Sequence, residues 1–453
     1  MIAIDAQLTA SDLLPAIDRM WTSSGQKILR LQRRWNPADG TPVFTVAGKY
    51  TTRGWTEWTQ GFQFGSALLQ FDATGDQQFL DLGRAATVKV MAPHVSHIGV
   101  HDHGFNNVST YGNLLRLMNE RRVPENGWER EFYVLALKLS GAVQAGRWTQ
   151  LNEHEGFIHS FNGPQSLFAD TIRSLRSLAL SWRLGHHFMG EGDREIDLLE
   201  RLKRHASATA KYNVFFGEGR DAYDRRGRVA HESIFNLNDG SYRCPSTQQG
   251  YSPFSTWTRG LSWVLLGAAE QLEFFTTLDS AHDDFVALLE KTARATADFY
   301  LENTPTDGVP YWDTGAPGLR DLGDYLNEPA QIDNAFEPVD ASAAAIAAQG
   351  LLRLGRFNQK YKQAGLTTAR TLLSDHYLST ETGHEGLLLH SIYHRPRGWD
   401  YVPPGSRIPK GESSMWGDYH LRELALWIQR EAQGEAPPSF FKAGEEFHAT
   451  GPA

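Results

Sequence analysis

The sequence predicts an all-α fold in which helical hairpins close into an irregular toroid. Two observations carry this. Apolar residues recur at helical spacing along most of the 453 residues, and they mark twelve segments, near 11–34, 59–73, 77–92, 106–121, 126–145, 165–187, 194–212, 256–277, 281–302, 340–354, 357–376 and 415–432. Turn-forming residues separate them. Taken in pairs the segments make six hairpins, and the lack of a strict sequence period speaks against a regular solenoid.

The boundaries follow from the punctuation. The first segment stops before Asn36-Pro37, and the second at Thr74-Gly75. Glu125-Asn126-Gly127 opens the fifth and Asn162-Gly163-Pro164 the sixth. Pro253 suits the entry to the eighth, and Thr306-Asp307-Gly308 follows the ninth. The last comes after Pro403-Pro404-Gly405, with Ser413 or Ser414 placed to cap it. Short strands are expected near 42–48, 229–235 and 387–394. Gly315 to Phe336 is a long insert rich in Gly, Pro, Asp and Asn, readable as a lid or a solvated loop. We expect a single catalytic domain over 1–432 and a peripheral tail over 433–453.

Composition narrows the function. The chain is 41% hydrophobic and 21% charged, with a net charge of −9 and no basic block, which argues against nucleic acid or an anionic membrane as partner. One cysteine, Cys244, allows no intrachain disulfide. No signal peptide is evident in Met1 to Asp12, so a cytoplasmic location is expected, or a periplasmic one if a leader was removed. No apolar run approaches the roughly 18 residues of a membrane span. Thirteen Trp, 15 Tyr and 24 Phe provide rings for a core and for a sugar cleft. No metal-ligand spacing, phosphate loop, dinucleotide fingerprint or nucleophile elbow is found; His101-Asp102-His103 is too tight for a metal site, and His186-His187 reads as a helix end. No cofactor is expected, and the search turns to carboxylates.

Asp102 lies ahead of a helix, where aspartate is ordinarily a cap. Asp170 lies opposite the apolar stripe Phe168, Ile172, Leu175, Ala179 and Trp182, with Ser166, Arg173 and Ser177. It is ordinarily a solvated residue there, but in a toroid of hairpins the polar face of an inner helix lines the central pocket. Asp170 would then be a pocket acid whose pKa burial can raise. Arg259 in Gln248 to Trp263 has two readings. One is a guanidinium stacked on tryptophan to fix the packing, favoured on residue type alone; the other is a fork for a carboxylate. His231, Trp58 and Asp418 each have an ordinary structural account.

Together these pieces resemble the unsaturated glucuronyl hydrolases of glycoside hydrolase family 88 and the related unsaturated rhamnogalacturonyl hydrolases of family 105. The matching motifs are W-T-x-G-F at Trp58 to Phe62, H-D-x-G-F at His101 to Phe105, G-F-I-x-S at Gly156 to Ser160, and Asp170. Q-G-Y-S-x-x-S-x-W-T-R-G-x-x-W runs from Gln249 to Trp263, D-A-S-A-A-A-I-A-A from Asp340 to Ala348, and S-x-x-W-G-D-Y from Ser413 to Tyr419. The family commonly has His where this chain has Gln248, and Asn where it has Thr171.

The resemblance implies a single (α/α)6 barrel and a cofactor-free reaction on an oligosaccharide with a terminal 4,5-unsaturated uronic acid. Asp170 would be the general acid/base and Asp102 the second essential carboxylate. Arg259 and Gln249 would hold the uronate carboxylate, Trp58 and Trp263 would line the ring, His231 would reach a hydroxyl, and Ser413 would assist binding. Rival readings are direct inverting hydrolysis of saturated uronides, a sugar epimerase or isomerase, and a non-catalytic carbohydrate-binding scaffold. Oligomeric state is open.

Overall fold

The computed structural model describes residues 1–55, 57–278 and 280–441. The helices, in chain order, are α1 (Leu14–Arg34), α2 (Gln60–Thr74), α3 (Gln77–Val90), α4 (Ala92–Val95), α5 (His103–Asn107), α6 (Asn113–Asn119), α7 (Gly127–Gly146), α8 (Thr171–Ser174) and α9 (Arg176–Arg183). They continue with α10 (Leu198–Ala208), α11 (Thr258–Phe275), α12 (Asp283–Glu302), α13 (Ala341–Leu354), α14 (Gln359–Leu372) and α15 (Met415–Ala432). A π-turn at Val108–Gly112 joins α5 to α6.

Contacts between neighbours close a ring of inner helices: α2 packs on α5, α5 on α8, α8 on α11, α11 on α13, α13 on α15, and α15 back on α2. The outer layer is α1, α3, α7, α10, α12 and α14. This is a closed toroid of helical hairpins, as the spacing predicts, and it is the (α/α)6 barrel that the resemblance implies.

The composition of the inner helices follows from their place. Every residue of α11 and α13 is buried. A helix covered on all sides has no need of a polar face, which explains the alanine run after Asp340. Asp340 caps α13 through Ser342 N–H at 3.1 Å, and Ser414 caps α15 through Gly417 N–H at 3.1 Å.

Three arginines and three glutamates occupy the buried barrel axis below the inner helix starts. Arg173 pairs with Glu270 and, at 3.3 Å, with Glu423; Arg353 pairs with Glu273 at 2.8 Å; Arg176 approaches Glu270 at 3.7 Å. Burial pulls Arg173 down to about 10, against the carboxylates that hold it charged.

Some expectations change. The segment at 165–187 is not one helix. Ser166–Phe168 is a strand paired antiparallel with Glu232–Phe235, which pairs in turn with Tyr242–Ser246, and helix begins only at Thr171. Arg173 therefore turns into the axial ion network rather than lying beside Asp170 on a pocket face. Strands occur at Thr41–Val46 and Glu232–Phe235 as expected, but 387–394 holds only an isolated bridge, Leu378 to Leu388. The 315–336 insert buries Leu319 and Leu322, and Glu337 clasps it through Trp312 Nε1 (2.7 Å) and Gly318 N–H (2.9 Å). Of the tail, 433–441 returns to the barrel, with Phe441 buried against Phe274 at 5.2 Å; residues 442–453 lie outside the described residues. Among the described residues no helix is long and apolar enough to cross a membrane.

The glycines of two motifs owe their place to the inner ring. A Cβ at Gly61 would overlap the backbone of Asn106, and one at Gly104 the carbonyl of Ser174. Gly104 N–H also donates to Ser174 Oγ at 2.8 Å. Gly104→Ala is expected to cost about 1–3 kcal/mol of stability by forcing α5 from α8, read as a lowered urea midpoint.

Candidate active site

The inner helices of the ring share one direction, with their N-terminal ends at a common mouth. There the connecting segments enclose a cavity of about 350 Å3. Trp58 stands before α2, Asp102 before α5, Asp170 before α8, and Trp257 before α11. Helix N-termini carry unpaired N–H groups and partial positive charge, so this mouth favours an anion.

Asp102 and Asp170 both occupy the position preceding a helix, and neither side chain caps it. Capping, the ordinary role of Asp102, is therefore not its role here. Both carboxylates turn into the cavity and meet His101. His101 Nε2 lies 3.3 Å from Asp170 Oδ1 and 3.6 Å from Asp102 Oδ1. The imidazole is buried, stacked on Phe161 and edge-on to Phe168.

The two acids are pushed apart. Burial raises Asp102, helped by the charge of Asp170 and opposed by His101. Burial also works to raise Asp170, but the His101 hydrogen bond and the charges of His101 and Arg259 outweigh it and bring it below the ordinary carboxylate range. Burial alone would lower His101, yet the two carboxylates raise it. Asp102 is thus the weaker acid, the reverse of the order that burial of Asp170 alone suggests.

The walls are aromatic. Trp58 stacks on Trp416 with centroids 5.0 Å apart and meets Phe105 edge-on. Trp263 forms part of the floor, packed on Phe105 at 4.9 Å and His420 at 5.0 Å. His231 sits just behind the wall, between Phe168 and Trp257, each at 4.6 Å. Its Nδ1 accepts from Gln248 N–H (3.1 Å) and Gln249 N–H (3.4 Å), which assigns the proton to Nε2, a buried atom with no protein partner. Burial brings this ring down to about 4, so it is neutral near pH 7.

Arg259 lines the cavity, but its guanidinium is engaged in packing. It lies between Trp257 and Trp416, 4.7 and 4.8 Å from their rings. Its N–H groups go to Asp340 (3.3 Å), the carbonyls of Ile392 and Tyr393, and Gln249 Oε1 (2.7 Å). What it offers a ligand is charge and a fixed Gln249, whose amide nitrogen remains available. Ser413 is not in the cavity: its N–H donates to Thr45 Oγ1 at 2.8 Å, and its carbonyl accepts from Thr45 N–H at 2.9 Å, tying this segment to the first strand.

Residues that sequence reading missed complete the lining: Glu57, Phe161, Tyr393, His394, Arg397 and Trp399. They stand in connectors without periodicity. The available signal was the density of rings beside Gly and Pro, as in Phe161-Asn162-Gly163-Pro164 and Arg397-Gly398-Trp399. No residue of 315–336 lines the cavity.

Fold and site together define the class: an (α/α)6 barrel with a paired-carboxylate, aromatic-walled cleft at the N-terminal ends of its inner helices. No protein-family model matches the chain. The particular likeness is to unsaturated glucuronyl hydrolases. The chain is 28% identical over 405 residues to the enzyme of that name from Bacillus sp. strain GL1, covering 86% of this chain and 90% of that one. It is 26% identical over 373 residues to one from Formosa agariphila, covering 81% and 78%. The crystal structure of the unsaturated glucuronyl hydrolase from Bacillus sp. GL1, described as responsible for glycosaminoglycan degradation, superposes with a TM-score of 0.69 at 22% identity, over 90% of this chain and 96% of that one.

Arg259→Ala is expected to leave Asp340 buried without its cation. The loss is about 3–5 kcal/mol in chemical unfolding, beyond any effect on ligand affinity.

Proposed function

We propose that this protein is a glycoside hydrolase that removes a 4,5-unsaturated uronic acid from the non-reducing end of lyase-generated oligosaccharides. The observation that carries the proposal is the pair Asp102 and Asp170, joined through His101 and released from helix capping, in an aromatic cleft at converging helix N-termini. The likeness to enzymes named for this activity supports it.

In this reading the uronate carboxylate faces the positive helix ends and the charge of Arg259, with the Gln249 amide as donor. Trp58 and Trp263 flank the sugar. Asp170 protonates C4 of the enol ether, then takes a proton from the water that adds at C5. The C5 hemiketal opens by breaking its bond to the ring oxygen, which leaves a ketone at C5 and a hemiacetal at C1; the hemiacetal then becomes an aldehyde and expels the leaving sugar with its oxygen and a proton. No redox partner is needed, because water supplies all added atoms. Asp102, made the weaker acid by burial and by the charge of Asp170, orients the ring.

Asp170 must carry a proton when it acts, although His101 and Arg259 make it a stronger acid than usual. The bound uronate resolves this. Its negative charge offsets the cations that depress Asp170, moving the carboxyl toward proton-donor range when substrate is present.

Direct inverting hydrolysis of a saturated uronide is less well served. It needs carboxyl groups roughly 6.5–9.5 Å apart with water between them. Here His101 Nε2 stands between the two carboxyls, 3.3 Å from Asp170 Oδ1 and 3.6 Å from Asp102 Oδ1, in the place the attacking water would need. We also place the protein in the cytoplasm, where a single exposed thiol such as Cys244 stays reduced.

The test is ultraviolet absorbance of unsaturated disaccharides prepared from glycosaminoglycans, pectin, ulvan and gellan, with saturated aryl glucuronides in parallel. Loss of the C4=C5 absorbance with release of the partner sugar is expected; hydrolysis of only the saturated glucuronides would overturn the mechanism. Asp170→Asn should lower kcat by about 10²–10⁴-fold without loss of the folded circular-dichroism signal. His101→Asn removes the hydrogen bond and charge that depress Asp170, so the alkaline limb of the kcat profile should move to higher pH.

A further inference from the structure

Outer helix α7 bears an apolar stripe on the face turned away from the barrel. Trp128 is 89% exposed, Phe132 42%, Leu135 55% and Leu139 44%. Outer helices of a barrel ordinarily present polar residues there. The spacing of four, three and four residues is that of a heptad seam, with Trp128 and Leu135 at d and Phe132 and Leu139 at a. The inner face of the same helix is separately occupied: Tyr133, Ala136, Leu137 and Ser140 are buried in the barrel. The stripe is therefore additional to the core packing of α7.

We propose that this stripe is the two-fold interface of a homodimer, with α7 packed antiparallel on α7 of a second copy. The argument is charge complementarity in register. Glu131 and Lys138 are seven residues apart and share heptad position g, on one flank of the stripe. Antiparallel helices set g against g. The register that pairs Trp128 with the partner's Leu139, and Phe132 with the partner's Leu135, also sets Glu131 against the partner's Lys138. All four apolar residues and both charges are matched at once, as an isologous contact requires. A parallel pair would instead set g against e. There stand Ala136 and Glu129, and Glu129 already meets Arg84 of α3 at 3.6 Å.

The contact has room to grow. A 20-residue helix is about 30 Å long. Val88, one turn beyond Arg84 on α3, is also exposed, and so is Met189 in the short strand Phe188–Met189 that packs against α7. The cleft opens at the inner helix N-termini, so an outer-face dimer leaves it free.

Light scattering after size exclusion tests this on the full chain. The expected mass is twice 50.8 kDa. Leu135→Glu, at an exposed position, should yield a monomer that still unfolds cooperatively, with unchanged activity per chain and a melting temperature independent of concentration. Glu131→Lys alone should weaken dimerisation about tenfold, and Glu131→Lys combined with Lys138→Glu should restore it, because the pairing is reciprocal. A wild-type monomer at about 100 μM would overturn the proposal. So would a dimer that survives Leu135→Glu, or a double charge exchange that fails to rescue the single one.

Discussion

The buried ion network on the barrel axis is the constraint on which the rest depends. Closing a ring of helices buries their facing polar positions, and a charge buried without a partner costs several kcal/mol. Arg173, Arg176 and Arg353 meet Glu270, Glu273 and Glu423, drawn from five helices, α8, α9, α11, α13 and α15. The network therefore ties elements distant in sequence more specifically than apolar packing alone, because each partner must be in place. It also lies just below the cleft. Arg173 is three residues from Asp170, so the salt bridges that hold α8 fix where that carboxylate stands.

Above the network the barrel concentrates electrostatics on one opening. Parallel inner helices place their N-terminal ends together, and Arg259 adds a full positive charge held between two indole rings. Against this background two carboxylates a few ångströms apart respond differently. His101 bonds Asp170 directly and Asp102 more loosely, and Arg259 bears on Asp170. The asymmetry arises from position relative to the cations, since both acids are buried. A site arranged this way responds to an anionic ligand by changing the proton affinity of its own acid.

Several elements were legible in sequence because the signal was local. The expected helices at 59–73, 256–277 and 340–354 correspond to Gln60–Thr74, Thr258–Phe275 and Ala341–Leu354. Turn residues and apolar spacing act within a few residues of the boundaries they mark. The helix expected at 165–187 failed because its first turn is held by a strand some 65 residues further on, through Ser166 opposite Ile234. Helical spacing near Phe168 and Ile172 was real, but cross-strand pairing decided the backbone.

By itself the sequence determined the helical architecture, the residue types of the cleft and the two aspartates that face it. Each was recorded in spacing, in turn residues or in short motifs. Only the tertiary structure decided what those groups do. Ser413 went to the first strand, Arg259 to a stacked clamp, and Asp170 rather than Asp102 became the stronger acid. These outcomes depend on distances to His101, Asp340 and Thr45, which the chain brings close only by closing the ring. Proton affinity and hydrogen-bond capacity are set by neighbours in space, and a linear pattern does not contain them.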